Sequence, residues 1–363
     1  MNPFRNRAII SSIEKLPPAY FALVMATGIV SIAAFLLGYR ILGTALLGFN
    51  GLAFVMLWGL FLLRGLMFPR AVLSDFTDHV RGVGFFTAIA GACVLGSQFT
   101  VIARRPDVGM VLWLFGITLW VLLIYGIFTL LTVCAEKPSL HKGIHGGWLV
   151  AVVAAQSIVI LGCQLAPGFT DARLPVLFFC LVMWLGGGML YIWMMTLIFY
   201  RYTFFVMSPA DLTPPYWINM GAVAISTLAG TFLIQQSDGS PLLQEILPFI
   251  KGLTLFFWAT ATWWIPMLVT LGVWRHLVRR FPLRYDPLYW GAVFPLGMYT
   301  VCTLRLSETV SAPFLRLLAE RFVFVAFAAW AVVFMGLVRR TFSLLAGVGS
   351  DGSALNPIQV RTS

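Results

Sequence analysis

The chain has 363 residues, of which 60% are hydrophobic and only 10% are charged, and its mean hydropathy is +0.92. A soluble domain carries roughly 25% charged residues, so this composition excludes an ordinary water-soluble globular protein. The formal net charge of +11 does not indicate nucleic-acid binding, because the basic residues lie in short loops between apolar runs and not in one patch or tail. The composition predicts an integral membrane protein.

Apolar runs of about 20 residues recur along the chain, the length that a helix needs to cross a bilayer. Strands of a membrane barrel would be about 10 residues long and would alternate in polarity. The sequence therefore predicts an all-α fold with one transmembrane domain, 18–340, between a cytoplasmic N-terminal segment, 1–17, and a disordered cytoplasmic tail, 341–363. The ten expected spans are 18–38, 43–63, 83–103, 109–134, 148–166, 174–200, 216–235, 249–273, 288–306 and 317–338.

The distribution of Lys and Arg predicts the orientation. With the N-terminus inside, the inner segments hold 16 of the 24 basic residues and the outer segments hold 8. Cytoplasmic loops carry the excess of positive charge in membrane proteins. We therefore expect both termini in the cytoplasm and the chain in the cell membrane, the bacterial inner membrane.

The odd-numbered helices open alike, with a Pro or Gly followed by aromatic residues, as in Pro18–Phe21, Pro215–Trp217 and Pro287–Trp290. This pattern predicts five quasi-repeated helical hairpins. Small and polar residues concentrate in the odd helices and bulky ones in the even helices, which favours an inner ring of odd helices around a central pore, although for a single glycine helix packing is the commoner role. The expected pore-lining residues are Thr27, Gly28, Ser31, Gly91, Gln156, Asn219, Gly221, Ser226 and Gly297.

The middles of the ten spans contain no Asp, Glu, Lys, Arg or His. This argues against a built-in proton relay or an ion-coupled pump, and it leaves a membrane-embedded enzyme without a cluster of reactive groups. No cofactor and no metal site are predicted.

Basic residues near both ends of the spans favour anions as the solute, because they raise the local anion concentration. The expected anion-attracting mouths are Arg81, Arg201 and Arg284 inside and Arg305 outside; membrane topology and headgroup contact are the alternative role for each. Asp75 is expected on a solvated cytoplasmic loop.

Three stretches, Phe21–Ser31, Pro214–Ala222 and Tyr289–Pro295, resemble the tellurite-resistance/dicarboxylate transporter family, to which slow anion channels and the yeast malic acid and sulfite permeases belong. The resemblance covers essentially the whole membrane region. It implies a homotrimer in which each subunit has its own pore, and it implies that Phe294, midway along the ninth helix, plugs that pore. Pro295 would kink the helix beside this gate.

Together the residues and the resemblance predict transport of small anions through a phenylalanine-gated pore, with C4-dicarboxylates such as malate as the substrate class. Two alternatives stay open: efflux of inorganic oxyanions such as sulfite or tellurite, and proton-coupled dicarboxylate symport. The expected partners are small anions, the lipid bilayer and two further copies of the chain.

Overall fold

The computed structural model describes residues 10–346. In this range the chain is helical, without a β-strand, which confirms the predicted all-α fold. Short helices cover Pro69–Thr77, Leu140–Gly143 and Pro241–Glu245. The ten long helices are α1 (Ala22–Leu36), α2 (Arg40–Met67), α3 (Phe86–Val101), α4 (Pro106–Val133), α5 (Val150–Leu165), α6 (Arg173–Phe204), α7 (Ile218–Gln235), α8 (Leu247–Val273), α9 (Trp290–Thr309) and α10 (Phe314–Ala346).

Nine helices of the described range are long and apolar enough to cross a membrane, and α9 is not among them. The prediction of a multi-pass membrane protein is confirmed, whereas the tenth span stays a prediction. Helix α10 continues to Ala346, six residues into the predicted tail. The rest of that tail and residues 1–9 lie outside the described residues.

Burial separates the long helices into two groups. In the spans that contain α1, α3, α5 and α7, 78% to 94% of the most apolar 18 residues are buried. The corresponding share is 11% to 22% in α2, α4, α8 and α10, and 50% in α6. Helix α9 is buried along almost its whole length. Large apolar side chains such as Ile41, Trp193 and Phe314 are exposed on the second group, and an extensive exposed apolar surface is typical of contact with a membrane or with another protein.

The five buried helices pack in a closed ring. Helix α1 contacts α3, α3 contacts α5, α5 contacts α7, α7 contacts α9, and α9 returns to α1. Each of them also packs against the long helix that follows it in the chain. The ring is therefore an inner layer, and the even-numbered helices form an outer layer around it.

A 3-10 turn precedes each helix of the ring, at Pro18–Phe21, Gly82–Phe85, Gly146–Leu149, Pro214–Trp217 and Pro287–Tyr289. Proline is favoured at such a start because its fixed φ fits the first turn and its missing N–H has no partner there in any case. The five turns contact one another in order around the ring, so the five helices run parallel. We call this side the amino end of the ring and the opposite side its carboxyl end.

Gly146 shows how closely the turns approach at the amino end. A Cβ at this position would lie 2.6 Å from the Cα of Tyr216, a distance that side-chain carbons do not adopt. The neighbouring atoms are backbone and cannot move away easily. Only glycine fits, and the glycine opening of this helix is therefore a packing requirement.

Candidate functional site

A cavity of about 30 Å³ lies on the axis of the ring, near its carboxyl end. That volume holds roughly two water molecules. All five inner helices contribute side chains to it, at positions three or four residues apart, so one face of each helix points to the axis. The lining residues are Ile29, Ile32 and Leu36 of α1; Val94, Ser97 and Val101 of α3; Ser157, Ile160 and Gln164 of α5; Leu228 and Phe232 of α7; and Met298, Val301 and Arg305 of α9.

The cavity is apolar except for four side chains. The Ser157 hydroxyl donates to the carbonyl of Ala154 at 2.8 Å. The Gln164 Oε1 and the Arg305 Nε atoms are buried without a hydrogen-bond partner among the described residues. A buried polar atom without a partner costs free energy, so these two atoms are the ones best placed to hold a polar solute. Ser97 completes the polar set.

Arg305 is the charged residue of the lining. Its Nη1 donates to the Glu308 Oε2 atom at 3.0 Å, in a pair that is partly exposed on both sides. The Nε of the same guanidinium remains unpaired on the buried side. Arg305 therefore connects the open carboxyl end of the ring with the interior of the cavity.

Phe294 lies on α9 between the cavity and the amino end of the ring. It precedes the lining residues Met298, Val301 and Arg305 by 4, 7 and 11 positions, a spacing that places all four on one face of α9. Its side chain is fully buried. Phe294 thus lies one helical turn from the cavity, on the side of the amino end.

Pro295 packs against the neighbouring helix of the ring. A Cβ added to Gly221 would lie 2.7 Å from the Pro295 Cγ, so the glycine provides the space that the proline ring occupies. Helix α9 continues through Pro295 without interruption. The Gly221–Pro295 contact fixes α7 against the segment that carries Phe294.

Five of the expected pore-lining residues have polar side chains, and their hydrogen bonds do not reach the cavity. Thr27 accepts from the Trp330 indole at 3.0 Å, Ser31 donates to the carbonyl of Gly43 at 2.7 Å, and Gln156 donates to the carbonyl of Trp184 at 3.0 Å. These partners belong to outer helices. Asn219 likewise donates to Tyr202 of α6, and Ser226 to Ala222 of its own helix.

The four expected glycines lie at contacts between inner helices. A Cβ on Gly28 would lie 2.5 Å from Val94, and one on Gly297 would lie 2.8 Å from Ile29. Gly221 faces Pro295 as described, and Gly91 faces Val24 at 3.5 Å. Their place in a pore lining stays a prediction, and the cavity is defined by other side chains of the same helices.

The expected mouth arginines have different environments. Arg81 donates to Asp75 through Nε and Nη2, and Arg64 pairs with the same carboxylate at 2.8 Å. Asp75 is buried, so its expected position on a solvated loop is wrong: the two guanidinium groups replace the water that a carboxylate needs.

Arg201 is also buried, where Nη1 donates to Tyr216 at 2.8 Å and to the carbonyl of Ile144. Arg284 is exposed. Of the four expected mouth arginines, Arg305 is the one that lines the cavity.

His145 caps the turn before α5. Its Nδ1 accepts from the N–H of Gly147 at 3.0 Å. Part of the residue is accessible, but its Nε2 is buried. Burial is the main cause that lowers the pKa of this imidazole to about 4, and the nearby charge of Arg201 contributes to the same shift. The neutral imidazole therefore holds the amino end of α5 at neutral pH.

The sequence pattern does not distinguish Ser97, Ser157 and Gln164 as cavity residues. The signal that does find the site is the stripe on α9 that starts at Phe294 and ends at Arg305. If one of these residues is known to face the axis of the ring, the helical spacing of about 3.6 residues per turn predicts that the other residues of the stripe face it as well.

A ring of buried helices with a cavity on its axis has the architecture of a membrane channel or transporter. The model of the voltage-dependent anion channel family, SLAC1, matches residues 15–338, and the chain belongs to this family. It is 24% and 25% identical to two uncharacterized transporters of Methanocaldococcus jannaschii, over 92% and 91% of this chain and 97% and 95% of theirs. An uncharacterized membrane protein of Mycobacterium tuberculosis is 37% identical over 47% of this chain and 84% of its own length. Family and relatives indicate a membrane transporter or channel, not an enzyme.

Proposed function

We propose that the chain conducts small anions across the cell membrane, along the axis of the inner ring, through a path that Phe294 closes. In this proposal α9 also crosses the membrane, which brings the number of crossings from nine to ten. The ten helices form five hairpins, and both termini face the cytoplasm. Three copies assemble, each with its own path. The bacterial inner membrane is the proposed location.

One observation carries the proposal. The cavity on the axis has the Arg305 guanidinium at one end, and Phe294 lies on the same face of α9 one turn below its other end. A cation above an apolar passage attracts anions into it. An aromatic ring below the passage, among helices that touch on every side, blocks it sterically.

C4-dicarboxylates such as malate are the proposed substrate class, on the basis of the family resemblance. A specific observation favours a second candidate, the small monovalent anions. In the described part of the chain the cavity lining holds one positive charge and is otherwise mostly apolar. A second negative charge would have to leave water without a matching cation, and the cost of burying an unpaired charge is several kcal/mol.

Current recordings on the reconstituted protein test the gate. Phe294→Ala should raise the anion current at least about tenfold, since lowering a barrier by about 1.4 kcal/mol has that effect. Phe257→Ala is the matched control, because Phe257 is also fully buried but lies on the outer helix α8, against Trp184. No increase for Phe294→Ala, or an equal increase for both variants, would contradict the gate.

Current recordings and flux measurements on the same reconstituted protein distinguish the candidate substrates, and they distinguish a channel from proton-coupled symport. Gradients of chloride, nitrate and malate across a Phe294→Ala membrane give the reversal potential for each ion. A current carried by malate supports the dicarboxylate candidate, and a current carried only by chloride and nitrate supports the monovalent one. Malate flux that follows a pH gradient without current would support proton-coupled symport instead.

A further inference from the structure

A cluster of exposed arginines lies between α8 and α9, at the amino end of the ring. Arg279, Arg280 and Arg284 are exposed and have no ion pair among the described residues. Arg340 of α10 joins them, since its guanidinium lies 6.0 Å from the centre of the Tyr285 ring. We call these four residues the basic patch.

Three other arginines at the same end show that the exposure of the basic patch is specific. Arg64, Arg81 and Arg201 are held by carboxylates, and Arg64 and Arg201 also donate to backbone carbonyls. The single carboxylate between residues 274 and 290 is Asp286, and it accepts the N–H of Leu288 at 2.8 Å. The charges of the basic patch are therefore left for an external partner.

Exposed apolar side chains alternate with these arginines. Leu277, Val278 and Leu283 are between 65% and 71% exposed. In a loop that faces only water such side chains gain nothing, whereas at a bilayer surface they enter the boundary between headgroups and acyl chains. The combination of free guanidinium groups and apolar side chains describes a surface that faces lipid headgroups.

Aromatic contacts hold the segment in place. Arg279 lies 5.5 Å from the centre of the Trp274 ring, and Arg275 lies 4.5 Å from that of Phe281. Arg275 also donates to the carbonyl of Leu212, and the His276 Nδ1 lies 3.0 Å from the carbonyl of Phe281. A segment that is already ordered loses little entropy when it binds a ligand.

We propose that the basic patch binds the phosphate headgroups of anionic phospholipids in the leaflet at the amino end of the ring. Guanidinium groups bind phosphate oxygens in pairs of parallel hydrogen bonds. Clusters of basic residues directly at the end of a membrane helix gain roughly a factor of five in affinity for an anionic surface per residue. The apolar side chains select a lipid over free phosphate.

Native mass spectrometry of the full chain in detergent tests this. Phosphatidylglycerol and phosphatidylcholine with identical acyl chains are added in separate titrations, and the bound lipids are counted. The wild type should retain phosphatidylglycerol over phosphatidylcholine. The triple variant R279Q/R280Q/R284Q should bind phosphatidylglycerol roughly 100-fold more weakly, and R279K/R280K/R284K should keep most of the binding.

The matched control is R40Q/R104Q/R321Q. It removes three arginines that are exposed and without an ion pair in the described range, at the carboxyl end of the ring, and it should bind phosphatidylglycerol like the wild type. Equal binding by R279Q/R280Q/R284Q and the wild type would overturn the proposal. So would equal binding of phosphatidylcholine, or displacement of phosphatidylglycerol by the same concentration of inorganic phosphate.

Discussion

The two ends of the inner ring are built differently. At the amino end five turns touch, Gly146 permits backbone contact, and buried ion pairs around Asp75 and Arg201 hold the surrounding segments. At the carboxyl end the helices leave a cavity, and its ion pair, Arg305–Glu308, is partly exposed. Closely packed backbone therefore closes the amino end, whereas a cavity lies near the carboxyl end, and Phe294 lies on α9 between the two.

The largest effect is expected at the buried charges of the amino end. Asp75→Ala leaves Arg64, whose side chain is 1% exposed, without its carboxylate. Removing one partner of a buried ion pair costs about 3–5 kcal/mol, so the unfolding temperature in detergent should fall strongly.

Asp107→Ala is the control for Asp75→Ala. Asp107 pairs with Arg105, but both side chains are about 60% exposed, and exposed pairs contribute little. We expect no measurable change for Asp107→Ala. Equal losses for the two variants would mean that the Asp75 pairs do not stabilise the amino end.

A second prediction concerns the close contact between the turns that precede α5 and α7. Gly146→Ala places a Cβ against the backbone of Pro215 and Tyr216, and overpacking of this kind costs about 1–3 kcal/mol. Gly91→Ala is the matched control, since its Cβ would meet Val24 at an ordinary 3.5 Å. Thermal unfolding of the two variants should show a lower unfolding temperature for Gly146→Ala and an unchanged one for Gly91→Ala.

The pH dependence of stability tests the His145 cap. The pKa of His145 is lowered to about 4 in the folded chain, so between about pH 6.5 and pH 4 the unfolded chain binds a proton that the folded chain does not. Stability is complete above this range and falls as the pH decreases through it, by about 3 kcal/mol.

His145→Gln keeps an acceptor for the Gly147 N–H but does not titrate. The unfolding free energy of this variant should decrease less between about pH 7 and pH 4.5 than that of the wild type. His141→Gln serves as the control, because it replaces a nearby histidine that does not accept the Gly147 N–H. Its unfolding free energy should decrease with pH as in the wild type. The same slope in all three proteins would remove His145 as the cause.

The sequence predicts the helices well because each apolar run is a sufficient signal by itself. It also predicts α9, at 288–306 where the helix covers Trp290–Thr309, although this helix is not among those apolar enough to cross a membrane. Tertiary contact on every side holds this helix, and hydropathy does not report such contact.

The rotation of the inner helices is harder to predict. A helix at the surface has an apolar and a polar face, and the contrast shows its orientation. The inner helices are buried on all sides, so Ser31 and Ser97 look equivalent in the sequence, yet Ser31 bonds to α2 and Ser97 lines the cavity. Asp75 is a similar case, because Arg64 and Arg81 reach it only after the chain has folded.

The smallest effect on stability is expected at the carboxyl end. Glu308→Gln removes the carboxylate that pairs with Arg305 at 3.0 Å, and a partly exposed pair three residues apart on a helix contributes less than about 0.5 kcal/mol.

The effect of Glu308→Gln on conduction should be larger than its effect on stability, because the freed guanidinium strengthens the attraction for anions at the cavity. In a Phe294→Ala background, Glu308→Gln should raise the anion current at low salt, and the increase should diminish at high salt as screening grows. Glu320→Gln, which breaks the exposed Arg316–Glu320 pair away from the cavity, removes the same charge and should leave the current unchanged. An equal rise for both variants would show that overall charge, and not Arg305, sets the current.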